Sequence, residues 1–73
     1  MTYTSIDKAF WIARKSARDM ECEGLDAFEE DYKAGRLNHD RLIGYLMGLT
    51  YAGVMDIADF CDCEALILKE REA

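Results

Sequence analysis

The chain has 73 residues, enough for one small hydrophobic core and too few for two domains with a cleft between them. Apolar residues make up 51% and charged residues 33%, and the formal net charge is −6. The apolar content excludes an intrinsically disordered chain, and the acidity is opposite to the basic charge of nucleic-acid-binding domains. We therefore expect one folded domain over residues 1–73 and no direct binding to nucleic acid.

The chain lacks proline, and its alanines and leucines outnumber the β-branched residues, which favours an all-α fold. A first helix is predicted over residues 6–22, with Thr4 or Ser5 as N-cap and Gly24 just past its end. Its apolar residues recur at helical period: Ile6, Phe10, Ala13, Ala17 and Met20.

A short second helix is predicted over residues 26–34. Asp26 and Glu29 have the spacing of a capping box, and Gly35 follows the last helical residue. Leu25, Phe28 and Tyr32 should form its buried edge.

The third helix should begin at Asn38 as N-cap and be the central one. Its apolar residues cover too wide an arc for a surface helix: Leu42, Ile43, Leu46, Met47, Leu49, Val54 and Ile57. Small residues recur every four positions on the opposite side, at Gly44, Gly48 and Ala52. This spacing predicts close packing of another helix of the bundle, or self-association.

The last helix is predicted over residues 62–72, with Asp62 as its cap and with Cys63, Leu66 and Ile67 facing inward. The predicted fold is a compact all-α bundle of three to four short helices, with the apolar third helix in its centre.

Residues 19–31 contain seven acids and no base. This acidic block consists of Asp19, Glu21, Glu23, Asp26, Glu29, Glu30 and Asp31. It is either a solvated surface or a surface that engages a basic patch on a partner.

Calcium binding is a weaker alternative for the same segment. Asp19, Glu21, Glu23, Gly24 and Glu30 fall at positions one, three, five, six and twelve of an EF-hand-like loop. Positions three and five normally hold shorter side chains, and the chain has no second loop to pair with the first.

A second candidate site is an aromatic and basic face on the first helix, formed by Trp11, Arg14, Lys15 and Arg18. An exposed Trp among basic residues is typical of a binding hot spot. The alternative is that other parts of the chain cover Trp11, with an arginine stacked on its ring.

No catalytic residues, metal site or cofactor are predicted. Cys22, Cys61, Cys63 and His39 are zinc-ligand types, but the chain has no CxxC pair and no catalytic motif, so an enzyme is not expected. Residues 1–20 lack the apolar core of a signal peptide, and the longest uncharged stretch, 42–55, is too short to cross a membrane. We expect a cytoplasmic chain with reduced thiols and no membrane contact.

These features favour a small acidic, non-catalytic binding module that occupies a surface on a larger protein, such as a nucleic-acid-handling complex. The chain resembles, in general profile rather than in any motif, small phage accessory proteins such as anti-restriction and anti-CRISPR inhibitors. The alternative is a homo-oligomeric structural or regulatory module, for instance a homodimer. A third class, a DNA-binding regulator, would use Arg14, Lys15, Arg18, Arg36 and Arg41, and the net charge opposes it.

Overall fold

The computed structural model describes residues 4–17 and 22–72, and this part of the chain forms four helices and no strand. The helices are α1 (Ser5–Ala17), α2 (Cys22–Lys33), α3 (His39–Tyr51) and α4 (Ile57–Glu72). The predicted all-α bundle is confirmed. The predicted continuation of the first helix over residues 18–21 lies outside the described residues.

The core lies mainly between α1 and α4, which pack along each other. The predicted stripe of α1 is buried as far as Ala17, and its last member, Met20, lies outside the described residues. Ala9, which was not predicted to belong to it, is also buried, and its small side chain lets α4 come close. α3 packs against α4, and Phe28 of α2 lies against its Tyr45 ring, but its other side is exposed at Tyr51, so the prediction that α3 is the centre of the bundle is wrong. α4 lies between two helices, because it packs against both α1 and α3.

Local side-chain caps fix the start of two helices. At α1, Thr4 Oγ1 accepts from the backbone N–H of Asp7 at 3.2 Å, and Asp7 Oδ2 accepts from the N–H of Thr4 at 3.2 Å. This reciprocal pair is a capping box. At α3, Asn38 Oδ1 accepts from the N–H of Arg41 at 3.1 Å. Both predicted N-caps are confirmed.

Two glycines in the left-handed region end α2 and α3. Gly35 has φ +75° and Gly53 has φ +79°, values that side chains with a Cβ rarely adopt. After each glycine the next N–H bonds back to a carbonyl of the last helical turn, Arg36 to Asp31 at 2.8 Å and Val54 to Leu49 at 2.9 Å. This is the Schellman arrangement, and it confirms the predicted end of α2 at Gly35. The third helix was predicted to include Val54 and Ile57, and this is wrong, because α3 ends at Tyr51 and Ile57 begins α4.

The predicted start of α2 is wrong by four residues. The helix begins at Cys22, so Gly24 lies inside α2 and does not mark the end of α1, and Asp26 is not a cap. Gly24 is needed for a different reason, since a Cβ there would lie 2.6 Å from Cζ of Tyr45. The glycine allows the Tyr45 ring to lie directly on the backbone of α2. A Cβ added at Gly44 or Gly48 would meet nothing within 4 Å, so the predicted close packing of another helix of the bundle on this row is wrong for the described residues.

The predicted start of α4 is wrong by five residues, because the helix begins at Ile57 and not at Asp62. The N–H of Phe60 donates to the carbonyl of Asp56 at 2.9 Å, and Phe60 is buried in the core. The N–H of Asp56 in turn donates to Ser16 Oγ of α1 at 3.2 Å. A contact between distant parts of the chain therefore fixes where α4 begins.

Candidate protein-binding surfaces

Five residues of the acidic block lie on α2, namely Glu23, Asp26, Glu29, Glu30 and Asp31. Glu23, Asp26 and Glu30 are exposed at spacings of three and four, so they share one face of the helix. Asp19 and Glu21 lie outside the described residues.

Arg14 connects the predicted basic face of α1 to this acidic block. Its Nε donates to Glu29 Oε1 at 2.9 Å, and its Nη2 donates to Asp26 Oδ1 at 2.5 Å and also to Glu29 Oε1. The hydrogen bonds to Asp26 and then to Glu29 raise the pKa of Arg14 above its usual value. Arg14 therefore remains charged and ties α1 to α2, and it is only partly available to a partner.

Internal pairing leaves some acids of α2 uncompensated. Asp31 has a loose ion pair with Arg36, with 3.6 Å between Oδ1 and Nη2. Glu23 and Glu30 form no ion pair within the described part of the chain. The negative charge presented by α2 is consequently carried mainly by Glu23, Glu30 and the exposed side of Asp26.

Trp11 is exposed, with 61% of its surface accessible, so no described part of the chain covers it. Its basic neighbour Lys15 places Nζ 4.9 Å from the indole ring centroid, in cation–π contact. Arg18 lies outside the described residues. Of the predicted aromatic and basic face, the structure brings Trp11 and Lys15 together at the surface and directs Arg14 towards α2.

Trp11 and Lys15 line an open groove between α1 and the segment that joins α3 to α4. The opposite wall includes Val54, Asp56 and Asp59. The groove therefore combines an apolar ring with charges of both signs.

A second group of acids, which was not predicted as a site, lies at the start of α4. Asp56, Asp59 and Asp62 recur every three residues, and none of them forms an ion pair among the described residues. The helix dipole favours Asp56 and Asp59, which lie before and within the first turn of α4. Their three-residue spacing could have indicated this patch. It was not recognised because the last helix was predicted to begin only at Asp62.

The cysteines have contrasting environments. Cys63 is buried, and its Sγ donates to the carbonyl of Ala9 at 3.3 Å. Burial, and secondarily the nearby charges of Asp59 and Asp62, raise the pKa of the Cys63 thiol to about 12. Cys61 is exposed.

The structure does not assemble a metal site from the described residues. No group of three or more His, Cys, Asp or Glu side chains is placed there to hold an ion. His39 instead contacts Glu70 of α4. The predicted calcium-binding loop does not form, because α2 is already helical from Cys22 and contains Glu23, Gly24 and Glu30.

Comparison of the chain with models of known protein families, with curated proteins and with solved structures gave no match. In the described part of the chain, none of the helices combines the length and the apolar character needed to cross a membrane.

Proposed function

We propose that this chain is a small, non-catalytic protein-binding module that occupies a basic surface on a larger partner. The observation that carries the proposal is the exposed row of Glu23, Asp26 and Glu30 on one face of α2. The row is carried by a helix that the core and Arg14 hold in place, so the backbone positions of these acids are fixed before binding. Preorganised charge lowers the cost of association.

These charges should increase the specificity and the association rate of binding more than its affinity. Opposite charge steers the encounter and aligns the two surfaces, and added salt weakens both effects. Proteins that handle nucleic acids expose basic channels, and a row of carboxylates can compete with phosphates for such a channel. An inhibitor of such a complex, acting in the cytoplasm in the manner of small phage accessory proteins, fits this chemistry.

The test compares two variants of equal charge change. Glu23→Gln with Glu30→Gln removes the free acids of α2, and Glu64→Gln with Glu72→Gln removes two acids of α4. The probe is an oligo-arginine peptide, whose dissociation constant is measured by fluorescence anisotropy over a range of salt concentrations. We expect the α2 variant to bind about two- to tenfold more weakly and with a shallower salt dependence, and the α4 variant to bind like the parent chain.

Equal weakening by both variants would show that net charge alone attracts the probe, and would refute a defined binding face. The same two variants then serve in affinity capture from a cell lysate. A specific partner should be captured by the parent chain and the α4 variant, should be lost from the α2 variant, and should elute as salt is raised.

A further inference from the structure

The open groove beside Trp11 belongs to the packed part of the fold. One wall is α1, which contributes Trp11 and Ser16, and the other is the segment between α3 and α4 with the start of α4. The N–H of Asp56 donates to Ser16 Oγ at 3.2 Å and joins the two walls. Ala17 and Met55 line the groove and are buried, so both walls are anchored in the core. The shape of this Trp11 groove is therefore set before any partner binds.

The Trp11 ring is a cation-binding surface that the fold uses only weakly. Trp11 is 61% exposed, and the cation on its ring is the ammonium of Lys15, an exposed residue of the same helix. Lys15 forms no ion pair within the described part of the chain. A strongly hydrated ammonium on a flexible stem is held loosely in such a contact, so a better-fitting cation can displace it.

The wall opposite Trp11 carries negative charge without a partner. Asp56 and Asp59 both line the groove, and neither forms an ion pair with any described residue. Lys15 lines the same groove, yet its ammonium lies on the indole ring and not within ion-pair distance of either carboxylate. The groove thus places uncompensated carboxylates across from a ring that attracts cations.

An arginine side chain matches both walls at once. Its planar guanidinium can stack on an aromatic ring while its N–H groups donate to carboxylates, which an ammonium cannot do with the same geometry. An anionic ligand would meet the repulsion of Asp56 and Asp59, and a purely apolar ligand would desolvate these carboxylates without pairing them. Ile12 and Val54 also line the groove and are only partly buried, so they can contact an aliphatic residue next to the arginine.

From this charge complementarity we infer that the Trp11 groove binds an arginine side chain of a partner protein, with the guanidinium between the Trp11 ring and the carboxylates of Asp56 and Asp59. The inference rests on the proposed function for the kind of partner, a protein with a basic surface, but it uses no residue of α2. A single arginine with an aliphatic neighbour buries little area, so a short peptide should bind with a dissociation constant in the millimolar range. Within a whole partner this contact adds to the one made by α2.

The fluorescence of Trp11 provides a direct test, because it is the only tryptophan of the chain. The probe is a short peptide, acetylated and amidated at its ends, with one arginine flanked by leucines. The matched peptide carries citrulline, which has the shape of arginine without its charge. We expect the arginine peptide to change the Trp11 emission saturably, and the citrulline peptide to bind at least about fivefold more weakly.

Two variants with the same change of charge locate the site. Asp56→Asn with Asp59→Asn should raise the dissociation constant of the arginine peptide at least about threefold. Asparagine keeps the side-chain size at both positions and is a good N-cap, and circular dichroism checks that the helices remain. Glu23→Gln with Glu30→Gln removes the same charge from α2 and should leave this dissociation constant unchanged.

Lys15→Gln is a variant that should strengthen binding. It removes the cation that competes for the ring, so we expect the arginine peptide to bind about two- to threefold more tightly. Lys33→Gln is its matched control, because Lys33 is also an exposed lysine but lies on α2. It should have no effect on the titration.

Three results would overturn the inference: equal affinities for the arginine and citrulline peptides, equal weakening by the two acid variants, or an emission that stays constant up to about 20 mM peptide. The proposed function fails separately, when the oligo-arginine peptide does not distinguish the acids of α2 from those of α4. Binding of the single-arginine peptide in the Trp11 groove would remain measurable in that case.

Discussion

Replacing Arg14 tests whether the contact between α1 and the acidic block stabilises the fold. Arg14→Met keeps most of the aliphatic stem and removes the guanidinium, which hydrogen-bonds to Glu29 and Asp26. The Arg14 side chain is only 27% exposed, so its interactions should stabilise the fold more than a fully solvated ion pair does. Exposed pairs contribute about 0.2–1 kcal/mol and buried hydrogen bonds to charged groups about 1.5–3 kcal/mol. Between these limits, we expect Arg14→Met to lower the free energy of unfolding by about 1–2 kcal/mol.

The assay is urea unfolding followed by far-UV circular dichroism, with Arg36→Met as the matched control. Arg36 is 73% exposed and lies 3.6 Å from its partner Asp31, so its loss should cost no more than a few tenths of a kcal/mol. A double-mutant cycle between Arg14→Met and Glu29→Gln should give a coupling energy near 1 kcal/mol. Equal urea midpoints for the two methionine variants, or a cycle without coupling, would refute a stabilising contact between Arg14 and α2.

Four further predictions rest on single residues and their contacts. Arg14→Met should bind the oligo-arginine peptide more tightly than the parent chain despite its lower stability, because carboxylates of α2 are released; unchanged or weaker binding would contradict this. Gly24→Ala should lower the free energy of unfolding by about 1 kcal/mol, although alanine favours helix, because its Cβ would lie 2.6 Å from Cζ of Tyr45; equal urea midpoints would disprove the overlap. Cys61 should react with a thiol reagent in the folded chain and Cys63 only after unfolding, as read by mass spectrometry of the labelled peptides. Because folding raises the pKa of the Cys63 thiol from 9.0 to about 12, its contribution to stability is complete below pH 9 and should be lost as the pH rises towards 12 in a denaturant titration.

The features predicted correctly from the sequence have causes within a few residues. The caps at Thr4 and Asn38 need only a side-chain oxygen and an N–H three positions later. The helix end at Gly35 needs only a residue that tolerates positive φ. Such local causes are visible in any stretch of sequence, and this is why these boundaries were found.

The features that were missed depend on residues far apart in the chain. Gly24 looked like a helix stop, and its role became visible only when the ring of Tyr45 was placed against it. The start of α4 is fixed by a bond from Asp56 to Ser16, forty residues away. Arg14 looked like part of a basic surface, yet its carboxylate partners lie twelve and fifteen positions further along. No local sequence pattern indicates contacts between residues so far apart along the chain.

The distribution of compensated and uncompensated charge connects the fold to the proposed binding role. Arg14 neutralises the acids of α2 that lie nearest α1, and this holds the helix in place. Glu23 and Glu30 lie outside that contact and remain exposed. Acids placed for stability alone would be expected to lie near bases or at helix starts, as Asp7 does in the capping box of α1. Glu30 forms no ion pair among the described residues and lies in the last turn of α2, where the helix dipole disfavours a negative charge. Glu30 therefore adds little to the stability of the isolated fold, and its carboxylate is available to the basic partner that we propose.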